Sequence, residues 1–478
     1  MNRIVKVVFV FLFFVVNVNA DVLTLDDYLE LVLKNNNELN SIQSSIDAVK
    51  GKLAQIEMVY SYSLSAGASY ADDKSGRPFS MLGRPDEVKI FAYDATVNKM
   101  FGFGTQVSLG LNGSHSGSNF ANDAMDFNVI DIAPFVKLQQ SLLKDINDGS
   151  TKASIAKAKS SAKSALYLLE YQKQNALLNA KMAYWNLSYA KTVVDFRKNA
   201  LKRVQKILDW NQKRFNMDLV EKSDLLQSQV AVKLGNLNLK IAYEQENRAN
   251  RAVNQFLSIS DMMVKYDVEK FEGKGKFFYS DDEPKKNCTR LDVLSVLEDV
   301  NSAMYDQIAN KKSSGADLVL NGQFALNGVD KDFEFVKDNL TKAERSSYSL
   351  GLRYSLPLNF KLRKLLDQGY EAAKVSTQEK AKYLSVKENN DWQQLLEDWN
   401  DAKLKNIIAV EIEEIQKQRK QEDEMLLKTG RTTTYLALQT EQALDDATLN
   451  VLGSVLELIK ISETAKTFYD YSFEIKVN

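Results

Sequence analysis

Side chains that commonly carry enzyme chemistry are sparse in this chain of 478 residues, which contains one histidine, His115, and one cysteine, Cys288. A Ser-His-Asp triad or a histidine-ligated metal needs a histidine beside suitable partners, whereas His115 lies among glycines and serines. Gly102-Phe103-Gly104 lacks the strand and helix that flank a nucleotide-binding fingerprint, and it is typical of a turn. The sequence therefore predicts a protein that is not an enzyme and that has no catalytic, cofactor or metal site.

The charged residues give no reason to expect nucleic acid as a partner. Basic and acidic side chains nearly balance, and the net charge is −1. Acidic runs at 411–414 and 422–424 are typical of the exposed face of a long helix. The alternative is that these runs line an internal passage.

The first residues have the layout of a secretory signal peptide over 1–20. Arg3 and Lys6 precede an apolar run over 7–16, and small residues end the segment. The next residue is Asp21 rather than cysteine, so a lipid anchor is not expected. Beyond this segment no run approaches the roughly 20 apolar residues of a membrane-spanning helix. A chain of this kind crosses a bilayer only as a closed sheet.

One segment occurs twice in the chain. Residues 215–229 and 427–441 each lie between two long helical stretches, and Leu226-Gln227-Ser228 aligns with Leu438-Gln439-Thr440 at an offset of 212 positions. An internal repeat of about half the chain governs the fold. Both copies are interpreted as the tips of helical hairpins.

The helical stretches are long and lack proline. The first is predicted over 150–216, where apolar residues recur every seven positions in the manner of a coiled coil. About 66 residues at 1.5 Å rise give a helix of roughly 100 Å. The second is predicted over 361–428, and shorter return helices follow over 220–257 and 433–469. Each pair forms an antiparallel helical hairpin.

The segments before each long helix alternate with period two. Strands are predicted over 62–143 and 316–358, with apolar side chains on one face and small or polar ones on the other. Their lengths suit the 9 to 11 residues of a tilted strand that crosses a bilayer. The alternative is a soluble hairpin packed on a core.

The repeat divides the chain into four parts. We expect a first repeat over 21–257 with its tip at 215–224, an equatorial bridge over 258–287, and a second repeat over 288–478 with its tip at 427–436. The first repeat carries about 40 extra residues, which predict one additional β-hairpin around 89–116. Whether that hairpin spans the membrane or lies in a rim stays open.

These features resemble the TolC-type outer-membrane efflux proteins, the exit ducts of tripartite pumps and type I secretion systems, over nearly the whole chain. The most specific resemblance lies in the tips, with a further match at Leu356-Pro357-Leu358 before the second long helix. The matching tip positions are Phe215, Asp218, Leu219-Val220 and Ser223-Asp224 in the first copy, and Gly430, Arg431-Thr432-Thr433 and Leu438-Gln439 in the second.

The resemblance implies a mixed α and β fold with an internal two-fold repeat. Three protomers, each with four to six strands, would form an outer-membrane β-barrel that a long α-helical coiled-coil barrel continues into the periplasm. It also implies partners: a homotrimer, a periplasmic adaptor protein, an inner-membrane transporter and outer-membrane lipid. The tip residues expected to contact the adaptor are Leu219, Val220, Ser223, Asp224, Gly430, Arg431, Thr432 and Thr433.

The sequence departs from the family pattern at several positions. The glycine of the first tip is Asp218, which adopts positive φ less readily than glycine, so we expect that turn to differ. Ser141 replaces the proline of the first strand-to-helix junction. Leu436 and Gln439 stand where the family has acidic aperture residues. Asp218, Leu436, Gln439 and Glu441 are therefore the candidate aperture residues, with Asp224 as an alternative acid.

The sequence thus predicts an outer-membrane exit duct that passively conducts substrates from a periplasmic adaptor and an inner-membrane pump to the exterior. The rival interpretation is a soluble periplasmic coiled-coil adaptor or structural spacer. The sequence does not identify the exported substrate, which could be a drug, a metal or a protein.

Overall fold

The computed structural model describes residues 22–74, 85–120, 127–261, 263–269, 271, 283–343 and 345–468. The expected signal peptide, 1–20, lies outside the described residues. The chain groups into two compact units, and each takes segments from both halves of the sequence. Of the described residues, one unit comprises those within 22–44, 171–290 and 388–468, and the other comprises those within 45–170 and 291–387.

Helices account for most of the described chain. They are α1 (Leu25–Asn35), α2 (Asn37–Glu57), α3 (Gly149–Phe215), α4 (Lys222–Phe256), α5 (Leu291–Ser313), α6 (Phe333–Lys342), α7 (Phe360–Lys428) and α8 (Thr434–Ala465). The long helices expected over 150–216 and 361–428 are α3 and α7. The return helices are α4 and α8, and α8 passes into a 3-10 turn at Lys466–Phe468. Among the described helices, none combines the length and the apolar composition that a bilayer-spanning helix needs.

The unit that contains Ser45–Glu170 holds one antiparallel sheet. Its strands are β1 (Ser63–Asp73), β2 (Pro85–Met100), β3 (Thr105–Phe120), β4 (Phe127–Ser141), β5 (Asp317–Leu326), β6 (Gly328–Asp330) and β7 (Ser346–Ser355). The order is β1-β2-β3-β4-β5-β7, and β6 pairs with β4 beyond the end of β5. In the described part of the chain, β1 and β7 are therefore the edge strands.

The sheet has one apolar and one polar face. Residues that lie directly opposite each other on paired strands share a face. One row across the six long strands is entirely apolar, and it runs Leu64, Val97, Leu109, Val136, Phe324, Tyr348. The adjacent row is entirely polar, and it runs Ser63, Asn98, Ser108, Lys137, Gln323, Ser349. The predicted period-two alternation is confirmed.

The additional hairpin predicted around 89–116 is β2 and β3. Its turn contains Gly104 at φ 84°, whose amide donates to the Phe101 carbonyl at 2.9 Å. A side chain at Gly104 would be strained by this backbone conformation, and a Cβ there would lie 2.7 Å from the Asp145 carbonyl oxygen. Glycine is therefore required at the turn.

A serine takes the place of the expected proline where β4 passes into α3. The Ser141 hydroxyl donates to Asp317 Oδ1 at 2.8 Å and accepts the Asp145 amide at 2.9 Å. Asp145 Oδ1 in turn accepts the amides of Ser150 and Thr151 at the start of α3. Hydrogen bonds thus hold the junction and cap the helix.

The core of the unit that contains the helical tips is built from the predicted apolar seams. Leu187 and Val194 of α3 are buried, and Val194 packs with Val193 and Ala242. On α7, Trp399 and Ala402 pack against Leu458 of α8. At these positions helix pairing follows the heptad pattern of the sequence, whereas Leu201, Leu208 and Phe215, further along the same series, are half-buried.

Candidate functional site at the hairpin tips

The first tip joins α3 to α4 through a tight turn. Asp218 has φ 55°, in the left-handed region. The Asp218 amide donates to the Phe215 carbonyl at 3.0 Å, and the Leu219 amide donates to the Arg214 carbonyl at 2.9 Å. These bonds satisfy carbonyls that the end of a helix leaves without partners.

The second tip, between α7 and α8, repeats this geometry. Gly430 has φ 72°, its amide donates to the Leu427 carbonyl at 3.1 Å, and the Arg431 amide donates to the Leu426 carbonyl at 2.9 Å. Each atom pair lies 212 positions after its counterpart in the first tip. The expectation that Asp218 makes the first turn differ is wrong, because aspartate is among the few side chains that tolerate the left-handed region.

The predicted adaptor-contact residues lie on and beside these turns. Leu219, Ser223, Gly430, Arg431 and Thr433 are exposed, whereas Val220, Asp224 and Thr432 are half-buried. Thr433 also has a structural role, because its Oγ1 accepts the Leu436 amide at 3.3 Å and caps α8.

The four candidate aperture residues have different surroundings. Asp218 and Gln439 are exposed and Leu436 is half-buried, but Glu441 is only 4% exposed. Glu441 Oε2 accepts Arg203 Nε at 2.9 Å, and its Oε1 lies 2.8 Å from Lys420 Nζ. In this chain Glu441 therefore forms buried ion pairs.

Each hairpin contains one buried polar pair close to its tip. In the first, the Asn211 amide donates to Ser228 Oγ at 2.5 Å. In the second, Thr440 Oγ1 donates to Asp423 Oδ2 at 2.5 Å. Both members of the second pair lie 212 positions after their counterparts, and all four side chains are less than one-tenth exposed.

A further hydrogen bond connects the two hairpins. Thr434, at the start of α8, donates through Oγ1 to Asn211 Oδ1 of α3 at 3.2 Å, and both residues are buried. A buried polar group without a partner is costly, so this bond fixes how α8 approaches α3.

Arg203 of α3 forms electrostatic contacts with two residues of α8, and so connects the hairpins. Besides binding Glu441, it donates through Nη2 to Asp445 Oδ1 at 2.5 Å. Arg197 Nη1 lies 3.7 Å from Asp445 Oδ2. One guanidinium of α3 thus holds two carboxylates that are one turn apart on α8.

Burial raises the pKa of Asp445 to about 6, since removal from water disfavours the carboxylate. Arg203 acts in the opposite direction, Glu441 adds to the increase, and Arg197 again lowers the pKa. Asp445 is therefore a buried acid whose pKa lies well above the usual value for aspartate.

A mostly apolar groove lies beside these ion pairs, between α3, α4 and α8. Its volume is about 690 Å³, and its walls include Leu201, Leu226, Val230, Leu234 and Tyr435. Leu226, Val230, Leu234 and Tyr435 are exposed. The groove thus places apolar side chains beside the exposed tips.

Residues that could bind a metal ion or act in catalysis are not clustered in the described part of the chain. Within the described residues, no group of three His, Cys, Asp or Glu side chains is arranged to hold a metal ion. His115 Nε2 lies 2.5 Å from Asn128 Oδ1, and Cys288 Sγ donates to the Phe468 carbonyl at 3.1 Å.

Sequence reasoning missed the residues that connect the hairpins. Arg203, Asn211, Thr434 and Asp445 were not singled out. A usable signal was present for Asn211, because the offset of 212 relates it to Asp423 and relates Ser228 to Thr440. Polar residues of similar size that recur at equivalent positions on apolar seams point to paired buried hydrogen bonds.

Comparison with known proteins finds similarity in structure alone. No protein-family model and no curated protein matches the sequence. The Campylobacter jejuni outer membrane channel CmeC superposes with a TM-score of 0.66 at 15% identity, covering 94% of this chain and 87% of that one. The outer-membrane channel OprN gives 0.67 at 11% identity, with 93% and 89% covered. The Neisseria gonorrhoeae outer membrane channel MtrE gives 0.62 at 12% identity, with 93% and 88% covered.

These structures share the overall fold of this chain over nearly its whole length. Identities of 11% to 15% are too low to carry over individual residue roles. The resemblance expected from the tips and from Leu356-Pro357-Leu358 is confirmed at the level of the fold, and the chain has the fold of the TolC-type outer-membrane channels.

Proposed function

We propose that this chain is the outer-membrane exit duct of a tripartite efflux pump or a type I secretion system. It conducts substrates passively from a periplasmic adaptor and an inner-membrane transporter to the exterior. Three copies form the duct, with the sheets in the outer membrane and the helical hairpins extending into the periplasm.

The two-faced sheet is the observation that carries this proposal. Leu64, Leu109 and Tyr348 of the apolar row are 73%, 53% and 88% exposed in the single chain. A large exposed apolar surface marks contact with a protein or a membrane. Because the polar row lies on the other face, closing the sheet places apolar side chains toward lipid and polar ones around a lumen.

The edges of the sheet support assembly from several copies. Each edge strand, β1 or β7, has a strand partner on only one side within the described chain. Unpaired backbone groups are not tolerated in hydrocarbon, so each β1 must pair with the β7 of a neighbouring copy. Six long strands per copy give a trimeric barrel of about 18 strands, within the range of known barrels.

The tips support a second part of the proposal, the gated periplasmic entrance. The exposed tip residues and the apolar groove beside them form a surface for the adaptor. The bonds of Arg203 and Asn211 to α8 hold the two hairpins together. Opening requires these bonds to rearrange, and Asp218, Leu436, Gln439 and Glu441 are the residues proposed for the aperture.

The proposal is tested by recording from the purified trimer in planar bilayers. We expect discrete conductance steps, and we expect a heat-sensitive trimer band on gels. A well-folded trimer that gives no conductance, even after Arg203→Gln and Asn211→Leu weaken the hairpin contacts, would contradict it. The rival, a soluble periplasmic spacer, instead predicts extraction without detergent and no heat-sensitive oligomer.

A further inference from the structure

The segment between β5 and β7 contains a helix that lies on the apolar face of the sheet. β6 pairs with β4 so that Gly328 is directly opposite Ile132. Ile132 lies opposite Gly113, which lies opposite Tyr93, and this row belongs to the apolar face. A Cβ on Gly328 would point to the same face. It would lie 2.7 Å from the Val336 carbonyl oxygen and 2.8 Å from Leu340 Cγ, so α6 rests directly on that face.

Helix α6 has well-defined ends and three kinds of surface. Asp332 caps its start by accepting the Glu334 amide at 3.1 Å, and Ala343 ends it at φ 50°. Val336 is fully buried against β6. The side turned away from the sheet carries charged residues, among them Glu334 and Asp338, and Asp338 is ion-paired with Lys342.

The flanks of α6 carry two exposed aromatic side chains. Phe333 is 58% exposed and Phe335 is 61% exposed, and at helical spacing they project on either side of the buried Val336. An amphipathic helix with aromatic flanks and a charged outer side suits the boundary between headgroups and acyl chains.

The position of α6 along the strands fits that boundary. β4 ends at Ser141, beside the start of α3, whereas α6 sits next to Ile132. The nine residues from Ile132 to Ser141 extend about 30 Å along the strand. At a tilt of about 40° this is roughly 23 Å along the membrane normal, close to the height of an apolar band. Helix α6 therefore lies about one hydrocarbon thickness from the helical end of the sheet.

We infer that α6 is an interfacial helix that binds the outer leaflet of the membrane around the sheet, with Phe333 and Phe335 at the level where headgroups meet acyl chains. The inference rests on the proposed function, because it requires the apolar face to contact lipid. The partner is a lipid surface, and the apolar row on the same face makes the contact continuous from the strands to the helix.

Depth measurements with single nitroxide labels test this inference. Cys288→Ser removes the one native cysteine. Phe335→Cys then labels α6, Leu350→Cys labels the apolar face of β7, and Glu411→Cys labels an exposed position on α7. For trimer in lipid vesicles, collision rates with oxygen and with a water-soluble nickel chelate are compared by electron paramagnetic resonance.

We expect the ratio of oxygen to nickel collisions to be highest at position 350, lowest at 411 and intermediate at 335. A ratio at 335 equal to that at 411, while 350 remains lipid-exposed, would overturn the inference and leave the proposed function intact. Dipolar broadening at 335 would show that a second copy covers α6, and would overturn it as well. A water-exposed label at 350 would contradict the proposed function itself.

Discussion

Arg203 and its two carboxylate partners determine how α3 meets α8. The guanidinium is partly buried, and both Glu441 and Asp445 are less than one-tenth exposed. A buried ion pair adds little net stability, because desolvation of the charges offsets their attraction. The cluster therefore contributes mainly by selecting one specific arrangement of the two helices, and the raised pKa of Asp445 makes that arrangement sensitive to pH.

The pKa of Asp445 predicts greater stability in mild acid. Its folded value of about 6 lies above the ordinary value of 3.8, so the folded form binds more protons between these values. The Asp445 contribution to the free energy of unfolding should therefore increase as the pH falls from 7.5 to 5. Thermal unfolding of wild type and of Asp445→Asn at both pH values measures this contribution. The gain in stability between pH 7.5 and pH 5 should be smaller in the variant than in wild type.

Glu463 provides the matched control on the same helix. Glu463 is also buried, and desolvation by itself would raise its pKa. Hydrogen bonds from Lys181 and Lys466 outweigh this effect and lower the pKa of Glu463 below 4.5. Its stabilisation is lost only when the pH falls through that lowered value, outside the window from 7.5 to 5. Glu463→Gln should leave the pH response unchanged, and an equal loss of response in both variants would contradict the assignment to Asp445.

Within the helical hairpins, loss of the Thr440–Asp423 hydrogen bond should lower the free energy of unfolding more than loss of the Asn211–Ser228 hydrogen bond. Thr440→Val keeps the shape of the side chain but removes the hydroxyl that donates to Asp423. The cost should be about 2 kcal/mol, because the carboxylate loses a buried donor. Ser228→Ala should cost less, because the group that it leaves without a partner is the neutral side-chain amide of Asn211 rather than a carboxylate, and hydrogen bonds to charged groups contribute more. Urea unfolding of both variants measures the two losses in the free energy of unfolding. Equal losses would contradict this prediction.

The turn between α7 and α8 should require glycine at position 430. Gly430→Ala meets no atom within 4 Å, so its cost comes only from placing alanine at φ 72°. We expect a loss of about 1 kcal/mol in the free energy of unfolding. Gly369→Ala, also in open space but inside helix α7, should instead stabilise by about 0.5–1 kcal/mol. If both substitutions changed the free energy of unfolding in the same direction, the backbone conformation of the glycine would not determine the effect of alanine.

For the whole molecule, β2 and β3 determine the width of the proposed barrel. Both have 16 residues and are paired along almost their full length. Deleting 85–120 brings β1 next to β4, and the two remain antiparallel. The trimer should then contain about 12 strands, and its diameter should shrink in proportion. Electron microscopy of detergent-solubilised trimers measures this, and an unchanged diameter would show that the hairpin lies outside the barrel wall.

The sequence by itself determined the elements and their faces. Period-two alternation identified the strands, heptad spacing identified α3 and α7, and the doubled segment located both tips. These properties follow from the repeat of each backbone conformation, which fixes the direction of every side chain locally. For the same reason the turn of β2 and β3 was predictable from Gly102-Phe103-Gly104.

The tertiary structure alone decided which distant residues meet. Arg203 and Glu441 are separated by 238 positions, and no local period relates them. The left-handed conformation of Asp218 is stabilised by the bonds that end α3, against the preference of the isolated residue. Helix α6 is only ten residues long, too short for a clear period, and its position on the apolar face depends on the pairing of β6 with β4. Contacts of this kind depend on how separate elements pack, which is a property of the folded chain.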